Sequence, residues 1–414
     1  MPTDQEKEVG VTHSKIHAKT WLAVASAALS AVGVQAEPLT LTASHNWVHD
    51  TNFARTETPI SDTINTTSLQ LDLDKQYGRQ TYTGSAKVAA VRYDKYGALL
   101  NNDAKNLSLG FDSELLQNWR VSLDGNYGQQ LNQFENNKIT DHVVKNVQTT
   151  KNAQAQLIYG VSGLWAIVAT GAKATLNYSV PAYYYLNYRQ DIQGLKAVYY
   201  SSDLLNYSLG VRHVNSEYTL STERVDENDI DLGTNWVVSG LSQLSATLSW
   251  SHSKRRLQAD RKFSGLTGYV NWNYTPHGVL SYGLSAYRTS NTDQFNQNYL
   301  TFDPGSGAFG INSAQLAYNN RVTAANLYVK WAATAKLTMT AATAWNHFNV
   351  DYDLIGTSIR DTSNYHSYSL NGYYAVQRWL KLSAGVVKYS QTKDATRNPY
   401  SGHAVNVSAS FIFD

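Results

Sequence analysis

Apolar and polar residues alternate one by one along most of this chain. In one stretch Leu244, Ala246, Leu248 and Trp250 are interleaved with Ser245, Thr247 and Ser249. Side chains of a strand point to opposite faces in turn, whereas a helix repeats every 3.6 residues, so a period of two predicts strands with one oily and one wet face. The last residues, "NVSASFIFD" (406–414), follow the same rule. Val407, Ala409, Phe411 and Phe413 fall on one face; Asn406, Ser408 and Ser410 fall on the other, broken by Ile412. Almost no chain follows that could cover this aromatic face.

The pattern predicts about eighteen strands. They span 39–50, 64–77, 78–92, 104–114, 118–134, 143–158, 163–178, 190–201, 204–220 and 226–238 in the first part. The rest span 242–256, 264–274, 279–289, 314–333, 336–350, 362–375, 378–391 and 401–413. Short turns such as "KQYGRQ", "TPHG" and "VQRW" alternate with longer polar connections at 51–63, 93–103, 289–313, 351–361 and 392–400. Pro59, Pro181, Pro276, Pro304 and Pro399 all fall in connections, where the missing N–H costs no ladder bond. Short turns at one end and long loops at the other describe a transmembrane antiparallel up-and-down β-barrel. Lipid then covers the apolar face of the final strand, and the first strand covers its edge, since an open edge in hydrocarbon would leave unsatisfied backbone groups.

The N-terminus fits that destination. Lys15 and Lys19 precede an apolar run from Trp21 to Val34 that ends at Ala36, the order of a secretory signal. The domains expected are a signal peptide at 1–36 and an outer-membrane barrel at 37–414, in the bacterial outer membrane. The chain has no Cys, so it is not a disulfide-stapled secreted scaffold, and a net charge of +2 gives no bulk reason for a nucleic-acid partner.

A barrel of this size encloses water rather than a packed core. Its inward face, rich in Ser, Thr, Asn, Gln and Tyr, suits a hydrated, hydroxyl-bearing solute. No G-x-S-x-G or H-E-x-x-H spacing is present, and no cofactor is implied, so the chain reads as a channel rather than an enzyme. The segments "LTLTASHNWVHDTNFAR" (39–55), "SKRRLQADRKFSGLTGYVNWNYTP" (253–276) and "HAVNVSASFIFD" (403–414) resemble the EpsL-type outer-membrane proteins of exopolysaccharide systems. That resemblance implies export of an exopolysaccharide, with polysaccharide cargo and periplasmic export proteins as partners beside membrane lipids and lipopolysaccharide. A general or small-solute porin is the alternative, and an outer-membrane hydrolase a further one.

Two charge groups stand out. Pore-lining positions expected from the alternation are Lys87, Arg120, Asp124, Lys196, Arg212, Asp229, Asp231, Lys330, Lys336 and Lys381. Arg120, Lys330, Lys336 and Lys381 would lie toward the periplasmic mouth, with Asp112 and Asp124 interrupting them. Lys87, Lys196 and Arg212 would lie deeper, and Asp229 and Asp231 toward the outer mouth. Lys254, Arg255, Arg256, Arg261 and Lys262 form a basic cluster expected in a long outer loop, placed to meet lipopolysaccharide phosphates or an acidic polymer. His45 and His49 share a strand face about 13 Å apart, too far to hold one metal ion together.

Overall fold

The computed structural model describes residues 39–413 apart from 133, 135–142, 162, 221–222, 258–261, 277, 291–298, 304–307, 313–318, 355–356 and 395–397. The segment expected to be a signal peptide lies outside the described residues. The first ten strands are β1 (Leu39–Asp50), β2 (Asp62–Tyr77), β3 (Gln80–Tyr93), β4 (Asn102–Leu116), β5 (Trp119–Leu131), β6 (Val147–Tyr159), β7 (Trp165–Tyr178), β8 (Tyr188–Ser202), β9 (Leu205–Tyr218) and β10 (Arg224–Ser239). Then come β11 (Ser242–Arg255), β12 (Phe263–Tyr274), β13 (Leu280–Thr289), β14 (Tyr299–Asp303) and β15 (Ala308–Asn312). The last five are β16 (Asn319–Ala332), β17 (Leu337–Leu354), β18 (Thr357–Gln377), β19 (Leu380–Gln391) and β20 (Tyr400–Phe413).

All but β14 and β15 form one antiparallel sheet of 18 strands, each paired to its neighbours in the chain, with β13 paired to β16. β1 pairs with β20 from Leu41 opposite Phe413 to Asp50 opposite Ala404, and the sheet closes on itself. Closure satisfies every edge, the one way a sheet can cross hydrocarbon. The expected count and the joining of first and last strands both hold.

The outward face has a composition that a water-soluble surface would not tolerate. Leu109, Leu209 and Val211 are each more than half exposed, in company with Leu195, Leu232, Leu248 and Val407. At the short-turn end aromatic pairs ring the wall: Trp119 with Tyr159 (4.8 Å between ring centroids), Trp165 with Tyr199 (4.7 Å) and Tyr82 with Phe111 (5.2 Å). Nearer the other end Trp47 stacks on His49 and Trp345 on His347. Aromatic girdles flanking an apolar belt are what two membrane interfaces select.

Inward residues become progressively more buried toward the long-connection end. On β19 Lys381 is exposed and Ser383 half-buried, whereas Gly385, Val387, Tyr389 and Gln391 are buried. β9 runs likewise, from half-buried Ser208 to buried Arg212, Val214, Ser216 and Tyr218. The cover comes from connections folded back on the lumen wall. Phe53 and Ala54 of the first connection, Leu100 of the one-turn helix α1 (Gly97–Leu100) and Phe134 pack with inward-facing Val48, Ile64, Val387, Tyr389 and Ala404. A second cluster sets Tyr183, from the 3₁₀ turn Pro181–Leu186, against Leu176, Tyr178, Tyr188, Tyr218 and Val225. Each buried Phe or Leu contributes about 1.5–3 kcal/mol, so these connections are held down rather than loosely tethered.

Three expectations need correction. Residues 351–361 are not a long loop, because β17 and β18 continue as paired strands to Leu354 and Thr357. The connection 289–313 contains its own hairpin, β14–β15. Lys254 and Arg255 sit within β11, not in a loop, and adjacent positions on a strand face opposite ways.

Candidate functional site

The site is the lumen wall, and the pleat decides which side chains reach it. Serine pairs show the inward face directly: Ser44 bonds Ser68 across β1 and β2 at 2.7 Å, and Ser383 bonds Ser408 across β19 and β20 at 2.7 Å. In register with them, Lys87 lies opposite Gln70 and Asn106, on the inward faces of three strands.

At the upper mouth a buried polar knot fastens the first connection to the wall. Arg55, in a left-handed conformation (φ 54°), reaches Asp50 Oδ2 at 2.9 Å and the Asn52 carbonyl at 2.5 Å. It donates a further hydrogen bond to the Tyr389 hydroxyl, which itself donates to Asp50 Oδ1. Asn52 extends the knot, donating from Nδ2 to the Thr56 carbonyl (2.7 Å) and to the Ser401 carbonyl (3.0 Å). Asp62, at the start of β2, accepts from the backbone N–H groups of Lys95 (3.0 Å) and Tyr96 (3.1 Å), tying the second long connection to the same rim.

Deeper on the opposite wall Arg212 is buried between two carboxylates, 2.8 Å from Asp229 Oδ2 and 3.3 Å from Asp231 Oδ2. Ser249 donates to Asp231 Oδ1, and Ser290 to Glu227 Oε2 at 2.9 Å. Arg212, Asp229 and Asp231 are therefore one ion-paired unit and not separate deep and outer charges. Arg120 is likewise paired, 2.9 Å from Asp112, whose other oxygen accepts from Ser122. Lys87, Lys196, Lys330 and Lys381 have no ion pair among the described residues. Lys336 sits in the turn before β17, donating to the Val376 carbonyl at 3.1 Å.

Two recesses indent the open half of the wall. One, of about 390 Å³, is bounded by Thr83, Ser85, Ser108, Asp124, Asn126 and Gln154. The other, of about 270 Å³, follows from small residues on β17: Ala342 and Ala344 form its floor between Asn326, Tyr328 and Lys330 on β16 and Ser367 and Ser369 on β18. Tyr328 lies across Gly283, where a Cβ would stand 2.0 Å from its ring, and bonds Asn273 Oδ1 at 3.0 Å.

The outer basic cluster is dispersed. Lys254 is exposed on the outward face of β11, Arg255 occupies an inward register position, Arg256 and Lys262 are exposed beyond the strands, and Arg261 lies outside the described residues. His45 and His49 face outward and share hydrogen bonds with the hydroxyls of Thr67 (2.9 Å) and Thr63 (3.1 Å). No cluster that could hold a metal ion occurs among the described residues. Alternation exposed most of the wall in advance, but it missed the Arg55–Asp50–Tyr389 knot, in which Tyr389 lies over 330 residues from the other two.

No family model matches the chain, and no curated protein matches it. Solved structures similar to it are outer-membrane proteins. The outer membrane protein OpdK of Pseudomonas aeruginosa is 10% identical, with 91% of this chain and 98% of that one covered, at a TM-score of 0.47. OpdQ of the same organism is 10% identical over 92% and 99%, at 0.49. OccAB3 of Acinetobacter baumannii is 8% identical over 92% and 100%, at 0.48. The EpsL-type resemblance is corrected here: none of these similar structures is named for polysaccharide export, and polysaccharide cargo and export partners lose their support. The closed sheet, the lipid-facing belt and the polar lumen define an outer-membrane β-barrel in contact with membrane lipid.

Proposed function

We propose that this barrel is a passive channel for small hydrophilic solutes, with a size limit set at its outer mouth. The observation that supports it most is the gradient of burial: the lumen wall is open and polar toward the short-turn end and covered by inward-packed connections toward the other. A wide polymer conduit has no use for such cover, whereas a solute filter does. Ser, Thr, Asn and Tyr side chains can exchange hydrogen bonds with a hydroxylated solute as it sheds water, and binding must stay weak enough for release. Of the charged positions, Lys87, Lys196, Lys330, Lys336 and Lys381 give the open half a mild preference for anions, while Arg120, Arg212, Asp229 and Asp231 serve the wall. Asp124 tempers that preference beside its recess. The reading involves no chemical step.

Liposome swelling tests the proposal. Vesicles carrying the purified barrel should swell in a pentose or hexose, more slowly in a disaccharide, and barely in a tetrasaccharide. Swelling at equal rates across that series, or none at all, would rule the filter out.

A further inference from the structure

The outward face of β5–β8 carries a regular feature that a channel does not need. Counting along each strand from the girdle aromatic at the short-turn end, the eighth residue is Tyr127 from Trp119, Lys151 from Tyr159, Lys173 from Trp165 and Asp191 from Tyr199. Between each pair the outward residues are almost all apolar, as in Leu157, Ala155 and Ala153 on β6. Eight residues of strand rise about 26 Å, which at a membrane tilt near 40° crosses about 20 Å, most of the roughly 25 Å apolar belt, and a Lys side chain reaches past the rest to place its ammonium in the headgroups. These side chains therefore sit on one line where hydrocarbon gives way to headgroups, at the long-connection end.

The register makes that line continuous. Tyr127 lies directly opposite Lys151, and Lys173 opposite Asp191, while Lys151 and Lys173 are diagonal neighbours through Ala153 and Thr175. Lys105 on β4 joins diagonally, its own partner being Gln129, next to Tyr127 on the same face. Lys151 and Lys173, on adjacent strands, thus stand about 7–8 Å apart, and Lys105 lies on the far side of β5, with Tyr127 and Gln129 between it and Lys151. Acid is scarce there. Asp191 answers Lys173 at 3.0 Å, and Asp103, above Lys105, is engaged by Arg92 at 2.8 Å. Lys105 and Lys151 have no ion pair among the described residues.

We infer that Lys105, Lys151 and Lys173, with the Tyr127 hydroxyl, form a binding site for the phosphate groups of a phosphorylated glycolipid in the outer leaflet. An unpaired lysine at the edge of hydrocarbon attracts an anionic headgroup, and phosphate oxygens accept from several ammonium groups at once. The occupant is a lipid and not a free anion, because the site continues directly into the acyl-facing belt. It differs in place and residues from the basic group around Lys254.

The test uses the full-length barrel in detergent, with native mass spectrometry reading retained lipid. The probes are bisphosphorylated lipid A and the same lipid with its phosphates removed. Wild type should retain the bisphosphorylated form at least tenfold more. A K105Q/K151Q/K173Q variant, shown to be folded by its heat-dependent gel migration, should lose that preference. A variant with Lys→Arg at the three positions should keep it, and so should K87Q/K196Q in the lumen. Equal retention of both lipids by wild type, or an undiminished preference in the triple Gln variant, would overturn the site. Loss of bound lipid to millimolar inorganic phosphate would overturn the lipid assignment.

Discussion

The guanidinium of Arg55 lies 3.9 Å above the centre of the Tyr389 ring. One residue belongs to the first long connection and the other to β19, so this contact, with the Asp50 carboxylate beside it, fixes a mouth-lining segment to the wall near the β1–β20 seam. Removing one member of a buried ion pair costs about 3–5 kcal/mol, and the cation–π contact adds about 1. Arg55→Ala should lower the denaturant midpoint and raise single-channel conductance with added current noise. A variant as quiet and as stable as wild type would show that the first connection is held by its apolar cluster alone.

Arg212 neutralises two carboxylates at once. Arg212→Met keeps the bulk but leaves Asp229 and Asp231 without the cation they share, so destabilisation of about 3–5 kcal/mol is expected. Reversal potentials in a salt gradient should move toward cation selectivity. An additional Asp229→Asn/Asp231→Asn change should restore both properties in large part, which a double-mutant comparison can measure.

Lys87, Lys330 and Lys381 face the open half of the lumen without an ion pair among the described residues. Replacing all three by Gln should shift ion selectivity toward cations with little change in stability, and the shift should shrink in molar salt as screening shortens to about 3 Å. Arg120 behaves differently, since its removal also frees Asp112, both of whose oxygens accept from Arg120 Nε at 2.9 Å.

Gly283 makes room for Tyr328. Any side chain there meets the Tyr328 ring, whose contact with Asn273 depends on lying flat across the glycine. Gly283→Leu should swing the phenol into the lumen and reduce conductance. If conductance is unchanged, the ring has another resting place and the recess on β16–β18 is not shaped by it.

The strands were legible because lipid imposes a rule on every second residue. β1 has the expected bounds, and β11, β13 and β20 agree to within a residue. The rule fades where lipid ends. In "NVDYDLIGTSIRDTSN" (349–364) the alternation of Val350, Tyr352 and Leu354 gives way to a polar run from Thr357 to Asn364 that reads as a loop, so the pairing from Asn349 opposite Thr362 to Leu354 opposite Thr357 was not legible. The lumen was legible as a list of inward residues but not as pairs. Arg212 and Asp229 are inward by alternation alone, yet their contact depends on the register between β9 and β10. Arg55 carries no periodic signal, being in a connection, and its partner Tyr389 comes 334 residues later.

Polymer exclusion in planar bilayers tests the central claim most directly. With the purified full-length barrel, polyethylene glycols of increasing size are added to the outer side and then to the periplasmic side. A lumen open below and narrowed above predicts conductance lowered by small polymers from both sides and by medium-sized polymers from the periplasmic side only. Equal size cut-offs from the two sides, or no conducting pore, would contradict the account.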